Sequence, residues 1–242
     1  MTSAVYSFSF NEIGYQGVPV LAAQAISIPV AKWTCLVGPS GGGKTTLLKA
    51  ILRLIPGLQQ TSFPQAKISY MPHHDLLLPW KTVLENVLLG FYLRGQDFCQ
   101  QQAEDVLKAV GLMAERHRYP YQLSTGMRQR VALARTLLEK ADLILMDEPF
   151  SAVDVKTRQQ LYELAVTQLK GRTVVFVSHD WGDIVCLAEH LIALKGQPAV
   201  CQSLHNLSYE FAQTLQQIKP PRLGYQKHLW DQTPGVWATL YA

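Results

Sequence analysis

The sequence predicts an α/β fold with a mostly parallel sheet, an N-terminal antiparallel β region and a helical sub-domain inserted in mid-chain. Three observations carry this. Short, continuously apolar runs at 34–37, 143–146 and 173–177 alternate with helical patterns, and strands apolar on both faces belong in a parallel sheet covered on both sides. Residues 5–35 instead carry brief alternating or β-branched patches. From Val83 to Lys140 the pattern is helical throughout, which interrupts the alternation.

The elements follow in order. Val-Tyr-Ser-Phe-Ser-Phe at 5–10 alternates with period two, and Ala-Ile-Ser-Ile at 25–28 repeats the pattern, so both read as strands. Thr-Cys-Leu-Val at 34–37 is a short buried strand running into a glycine-rich turn. A helix is expected over 44–54, stopped by Pro56 and Gly57, and a strand over 67–71. Val83, Val87 and Leu88 share one helical face; Ala103, Val106, Leu107 and Val110 share another, ahead of Gly111. A helix over 124–138, a strand over 143–146, a helix over 156–169 and a strand over 173–177 complete the core. Beyond 204, Leu207, Phe211 and Leu215 would line one face of a helix ended by Pro220 and Pro221.

Composition narrows the function. The chain has 242 residues, 48% hydrophobic and 17% charged, which is globular and enough for one domain with an inserted sub-domain. The net charge of +4 comes from scattered lysines and arginines, so no nucleic-acid partner is expected. Cys35, Cys99, Cys186 and Cys201 form no C-x-x-C pair, which fits neither a zinc site nor a disulfide framework and points to a reducing cytoplasm. The N-terminus lacks a charged segment leading into an apolar core, and no apolar run approaches the roughly 18 residues needed to cross a bilayer. Work at a membrane is expected to come through a partner.

The chemistry starts at Gly38-Pro-Ser-Gly-Gly-Gly-Lys44-Thr45, which matches G-x-x-x-x-G-K-[ST] between a strand and a helix. The P-loop reading assigns Gly38, Pro39, Ser40, Gly41, Gly42, Gly43, Lys44, Thr45 and Thr46 to the nucleotide. Glycines let backbone N–H groups wrap a phosphate, and the helix that follows turns its positive end to the same anion. Lys44 can reach the β- and γ-phosphates and the Thr45 hydroxyl can ligate Mg²⁺. Downstream, Asp147 and Glu148 emerge at the end of the buried run Leu-Ile-Leu-Met. Asp147 is placed to hold the metal and Glu148 to polarise the attacking water.

Leu123-Ser-Thr-Gly-Met-Arg-Gln-Arg130 resembles the signature motif of ABC-type ATPases, a short way before the Asp147-Glu148 strand. Physically it is a second anion-binding turn, made of the Ser124 hydroxyl, N–H groups near Gly126 and a helix N-terminus. The resemblance implies that two copies pair head-to-tail, each signature turn completing the other's site. Ser151-Ala-Val-Asp154 resembles the family's D-loop at the dimer seam, and Val177-Ser-His179-Asp its switch histidine, which contacts the γ-phosphate and steadies water and Glu148. Tyr15 sits where the family keeps an adenine-stacking aromatic. The implied domain covers 1–205, with a helical sub-domain over about 83–140 and a tail of unknown role over 206–242.

Two departures stand out. Thr125 replaces the second signature glycine, where a Cβ could crowd phosphate or restrict the backbone. His73 aligns with the family's Mg²⁺-contacting glutamine, so His73 joins Thr45 and Asp147 as a candidate ligand, although Mg²⁺ prefers oxygen. A zinc site of His73, His74 and Asp75 is disfavoured because adjacent ligands point apart. The segment Leu77-Leu-Pro-Trp80-Lys-Thr-Val-Leu-Glu-Asn-Val87 is similar to importer ATPases for nitrate, sulfonate, taurine and thiamine or its pyrimidine precursor, with the Met-x-x-x-Asp-Leu-Leu-x-Pro-Trp form leaning to the last. The resemblance implies an ATPase peripheral to the cytoplasmic face of the inner membrane, docked on permease subunits fed by a periplasmic solute-binding protein. Two alternatives stay open. An exporter or lipoprotein-release ATPase is disfavoured by Pro79-Trp80, and a soluble non-transport ABC ATPase by the presence of one P-loop.

Overall fold

The computed structural model describes residues 4–62 and 65–204. They form two compact units, one drawn from the described residues up to 66 and from 173 onward, the other from 67–172.

The first unit opens with β1 (Val5–Phe10), β2 (Ile13–Tyr15), β3 (Val18–Leu21), β4 (Gln24–Pro29) and β5 (Trp33–Val37), then α1 (Lys44–Ile51) and β6 (Leu58–Thr61). β1 pairs antiparallel with β4 and β6. Tyr6, Phe8 and Phe10 are buried while the serines between them are half-exposed, so the period of two is that of a strand with one core face. β2 and β3 form a hairpin whose turn, Gln16-Gly17, has positive φ at both residues, the backbone that matches strand twist. β5 is buried along its whole length.

α1 ends earlier than the sequence suggests. Leu52 caps it and Arg53 turns left-handed at φ 58°, so that the Leu54 N–H reaches back to the Lys49 carbonyl at 2.9 Å. The turn closes on these backbone bonds before Pro56-Gly57 is reached.

The second unit contains β7 (Ile68–Met71), α2 (Val83–Val87), α3 (Leu89–Arg94), α4 (Gln100–Ala109), α5 (Thr125–Leu138), β8 (Leu143–Asp147) and α6 (Val155–Gln168). β7 and β8 pair in parallel, with Tyr70 opposite Leu145 and Met71 opposite Met146. α5 packs against α2, α4 and β7. The faces expected from periodicity are the buried ones: Val83, Val87 and Leu88, then Ala103, Val106, Leu107 and Val110. The compact unit that holds these helices extends beyond 83–140 to include both strands and α6.

β9 (Thr173–Val177), α7 (Trp181–Leu187), β10 (His190–Lys195) and β11 (Val200–Leu204) return to the first unit. β5 lies between β9 and β10 and runs parallel to both; β11 is antiparallel to β10. The helical face at Leu207, Phe211 and Leu215 falls outside the described residues. No helix among the described residues is long and apolar enough to cross a membrane.

Candidate functional site

In the first unit, the register carries the P-loop and His179 to one end of the sheet. Leu36 pairs with Val177 on parallel strands, so the chain leaves β5 into Gly38 and leaves β9 into His179 side by side. Gly43 is the N-cap of α1 at φ 86° and has no side chain with which to cap the helix. A Cβ on Gly43 would lie 2.7 Å from the Leu21 side chain. That contact seats the β2–β3 hairpin, with exposed Tyr15 on it, against the start of α1. The Lys44 ammonium donates to the carbonyls of Gly38 (2.9 Å) and Pro39 (2.8 Å), so it lies across the loop it must serve. Thr46 is buried under the same turn. Burial pushes the Cys35 thiol far up, which leaves it a packing atom behind the loop.

His179 is exposed just past β9. The Ser178 hydroxyl beside it donates to Asp183 at 2.6 Å and accepts the Asp180 N–H at 3.0 Å, while Asp180 caps α7 through Gly182 at 2.7 Å. The short helix is thus tied back to the strand end that presents the imidazole.

In the second unit, the β7–β8 register does for His73 what the β5–β9 register does for His179. With Met71 opposite Met146, two further residues set His73 beside Glu148, and its Nδ1 stands 3.6 Å from Glu148 Oε2. Asp147 is 3% exposed at the end of β8. Burial, and after it the neighbouring Asp147 charge, push the Tyr70 phenol up to about 12. Glu148 itself has φ 52°, a left-handed backbone that residues with a Cβ seldom take. Among the described residues, no group of three or more His, Cys, Asp or Glu side chains is placed to hold a metal. All four cysteines are free.

The signature turn caps α5. Ser124 Oγ accepts the Met127 N–H at 3.2 Å. Thr125 is the first helical residue and is exposed, so its Cβ meets no backbone restriction; its hydroxyl accepts from Arg128 Nη2 at 3.3 Å. Gly126 has the sharper requirement: a Cβ there would lie 2.8 Å from the Ala152 carbonyl oxygen. Asp154, at the end of the 151–154 segment, caps α6 by accepting the Thr157 N–H at 3.1 Å.

The loop between β7 and α2 is held from two sides. Asp75 Oδ2 accepts from Arg128 Nε at 3.0 Å, and Arg135 donates to the carbonyls of Asp75 (2.8 Å) and Leu76 (3.2 Å), all from α5. Fully buried Asn86 of α2 accepts the Leu78 N–H at 2.8 Å and donates to the carbonyls of Leu78, Lys81 and Thr82. Leu76 and Trp80 remain exposed on the loop. Sequence reasoning found this segment but missed Asn86, Arg128, Arg135 and Gln129. A signal existed: Gln129 lies on the helix stripe of Ala132, Leu133 and Thr136, where a polar residue requires a partner.

A glycine loop at a helix start and a buried aspartate at a strand end define a P-loop nucleotide-binding protein. A profile described as ABC transporter matches residues 22–151. The chain is 40% identical over 182 residues to the aliphatic sulfonates import ATP-binding protein SsuB 1 of Paracoccus denitrificans, covering 73% of this chain and 74% of that one. It is 37% identical over 224 residues to the taurine import ATP-binding protein TauB of Yersinia pestis, covering 86% of each. Among solved structures, the dimeric post-hydrolysis state of the ATP-binding cassette MJ0796 with ADP and Pi matches with a TM-score of 0.68 and 27% identity, over 79% of this chain and 94% of that one. The chain belongs to the ABC transporter family, as one of its ATP-binding, ATP-hydrolysing subunits.

Proposed function

We propose that this chain energises uptake of a small organic solute through a membrane permease, as a head-to-tail dimer closing on MgATP. The observation that carries the reading is the wiring of the 73–80 loop. Its first residue stands beside Glu148, and its middle is tied by Asp75 to α5, the helix that begins at the signature turn. A push on the loop therefore reaches both the hydrolytic carboxylate and the turn offered to a partner.

A neighbouring groove supplies somewhere to push. A cavity of about 1040 Å³ is lined by Leu76, Leu89, Phe91 and Leu93 with Arg94 and Arg135 among them. It suits a cytoplasmic segment of the permease. The sulfonate and taurine import proteins, similar over most of this chain, support the importer reading. The solute class is thus sulfonate, taurine, nitrate or thiamine-precursor-like, delivered by a periplasmic solute-binding protein to a permease with this subunit on its cytoplasmic face.

The residues divide the work as follows. Lys44 and the N–H groups of 38–46 bind the phosphates, and Tyr15 stacks on the adenine. Ser124 and the N–H groups at Gly126 of the second copy close over the γ-phosphate. Thr45 and Asp147 are the residues that would hold Mg²⁺, which would neutralise phosphate charge. His73 is assigned to the Glu148 carboxylate, since Mg²⁺ prefers oxygen and Nδ1 already faces that group. Glu148 polarises the attacking water, and His179 steadies the γ-phosphate.

Tagged chain recovered from detergent-solubilised membranes is expected to bring down a membrane-spanning permease. Recovery of ribosomes or DNA without a permease would overturn the transport reading.

A further inference from the structure

We infer that Gln129 is a positioning residue for hydrolysis, fixing the backbone at Glu148 and the turn through Ala152 onto α5. The inference rests on the assignment of Glu148 as the water-polarising group.

Gln129 is 6% exposed, yet its amide is committed to this one turn. Nε2 donates to the Glu148 carbonyl at 2.8 Å and to Ser151 Oγ at 3.2 Å; Oε1 accepts the Ala152 N–H at 2.7 Å. A carbonyl only accepts and an N–H only donates, so the partners fix which way the amide points. A buried amide that could be a hydrocarbon is costly unless its bonds are needed.

What the amide holds is an unusual backbone. Glu148 is left-handed at φ 52°, and its carbonyl also accepts from Ser151 N at 3.3 Å and Ser151 Oγ at 3.1 Å. The direction of that carbonyl is tied to the direction in which Cβ leaves the chain. If the peptide relaxed to right-handed φ, the carboxylate would swing away from the face that β8 presents. Gly126 leans on the same turn, with room for no Cβ before the Ala152 oxygen. The start of α5 and the 148–152 turn therefore move as one piece, with Gln129 as the polar link.

The test compares Gln129→Met, which keeps volume but removes the amide, with Gln129→Glu, which keeps an acceptor for Ala152 but turns a carboxylate oxygen toward the Glu148 carbonyl. Steady-state hydrolysis, nucleotide binding and thermal unfolding are measured on the full chain, beside Glu148→Gln. In both variants kcat is expected to fall roughly ten- to a hundredfold, the scale of ångström misplacement, while KM and nucleotide binding stay within about twofold. If Gln129→Met does not fold, Gln129→Glu carries the same criteria. Wild-type kcat in a folded variant overturns the inference, as does a kcat loss matched by equal loss of nucleotide binding. Should Glu148→Gln itself turn over at the wild-type rate, the role of Glu148 falls and the inference with it. Should Glu148→Gln stall while Gln129→Met works normally, only the inference falls.

Discussion

Asn86→Ala should loosen the loop that carries Trp80, at a cost that can be worked from its hydrogen bonds. The side chain is fully buried; Oδ1 accepts from Leu78 N at 2.8 Å, and Nδ2 donates to three carbonyls at 3.0–3.1 Å. Two N–H hydrogens shared among three carbonyls, plus one accepted bond, amount to three full hydrogen bonds. At about 0.5–1.5 kcal/mol net apiece, their loss costs about 2–4 kcal/mol, including the Leu78 N–H left without its acceptor. Against a typical domain stability of about 5–15 kcal/mol the variant still folds, with a visibly lower urea midpoint and an unchanged slope. Hydrolysis coupled to a reconstituted permease should fall further than hydrolysis by the chain alone, because the 78–82 segment is what the bonds order. A stability change below about 0.5 kcal/mol, the scale of an ordinary surface substitution, would refute the reasoning.

Glu148→Gln is expected to trap an ATP-bound dimer, seen by gel filtration with MgATP; a monomer hydrolysing at the wild-type rate would remove Glu148 from its role. His73→Gln should preserve or raise transport-coupled hydrolysis, since glutamine keeps a polar end beside Glu148, and a large loss would show that the imidazole itself is required. The Glu85 carboxyl is held below its usual range by the Thr82 N–H and Lys81, and that of Asp154 by Thr157. A lowered folded-state pKa gives stability that is present above the unfolded pKa and is lost as pH falls through the folded one. Thermal unfolding should therefore drop on acidification below about pH 4, and Asp154→Asn, still a good cap, should flatten that drop. An acid limb unchanged in Asp154→Asn would count against the cap's contribution.

The parallel core was legible because its strands are buried on both faces and read as unbroken apolar runs; β5, β8 and β9 were each placed within a residue. β6 was not legible, since Leu-Gln-Gln-Thr carries no apolar alternation and is a strand only because β1 offers it an edge. β10 is legible in principle, since Leu-Ile-Ala-Leu within it is an unbroken apolar run. Among the candidate site residues, Lys44, Thr45, Asp147 and Glu148 are announced by local motifs. His73 beside Glu148 is a matter of register between strands far apart in sequence. The same holds for Gln129 and Asn86, whose partners lie in turns that no periodicity describes.

The left-handed backbone at Glu148 limits what can replace it before any chemistry is asked of the replacement. Valine, isoleucine and threonine are refused by sterics, whereas glycine, asparagine and aspartate fit this region more readily. The substitutions open to drift at this position are thus ones that leave the fold intact and remove or shorten the carboxylate. A lineage that gave up hydrolysis would by this route keep a folded protein that still grips ATP, and its loss of turnover would leave no mark on expression or solubility.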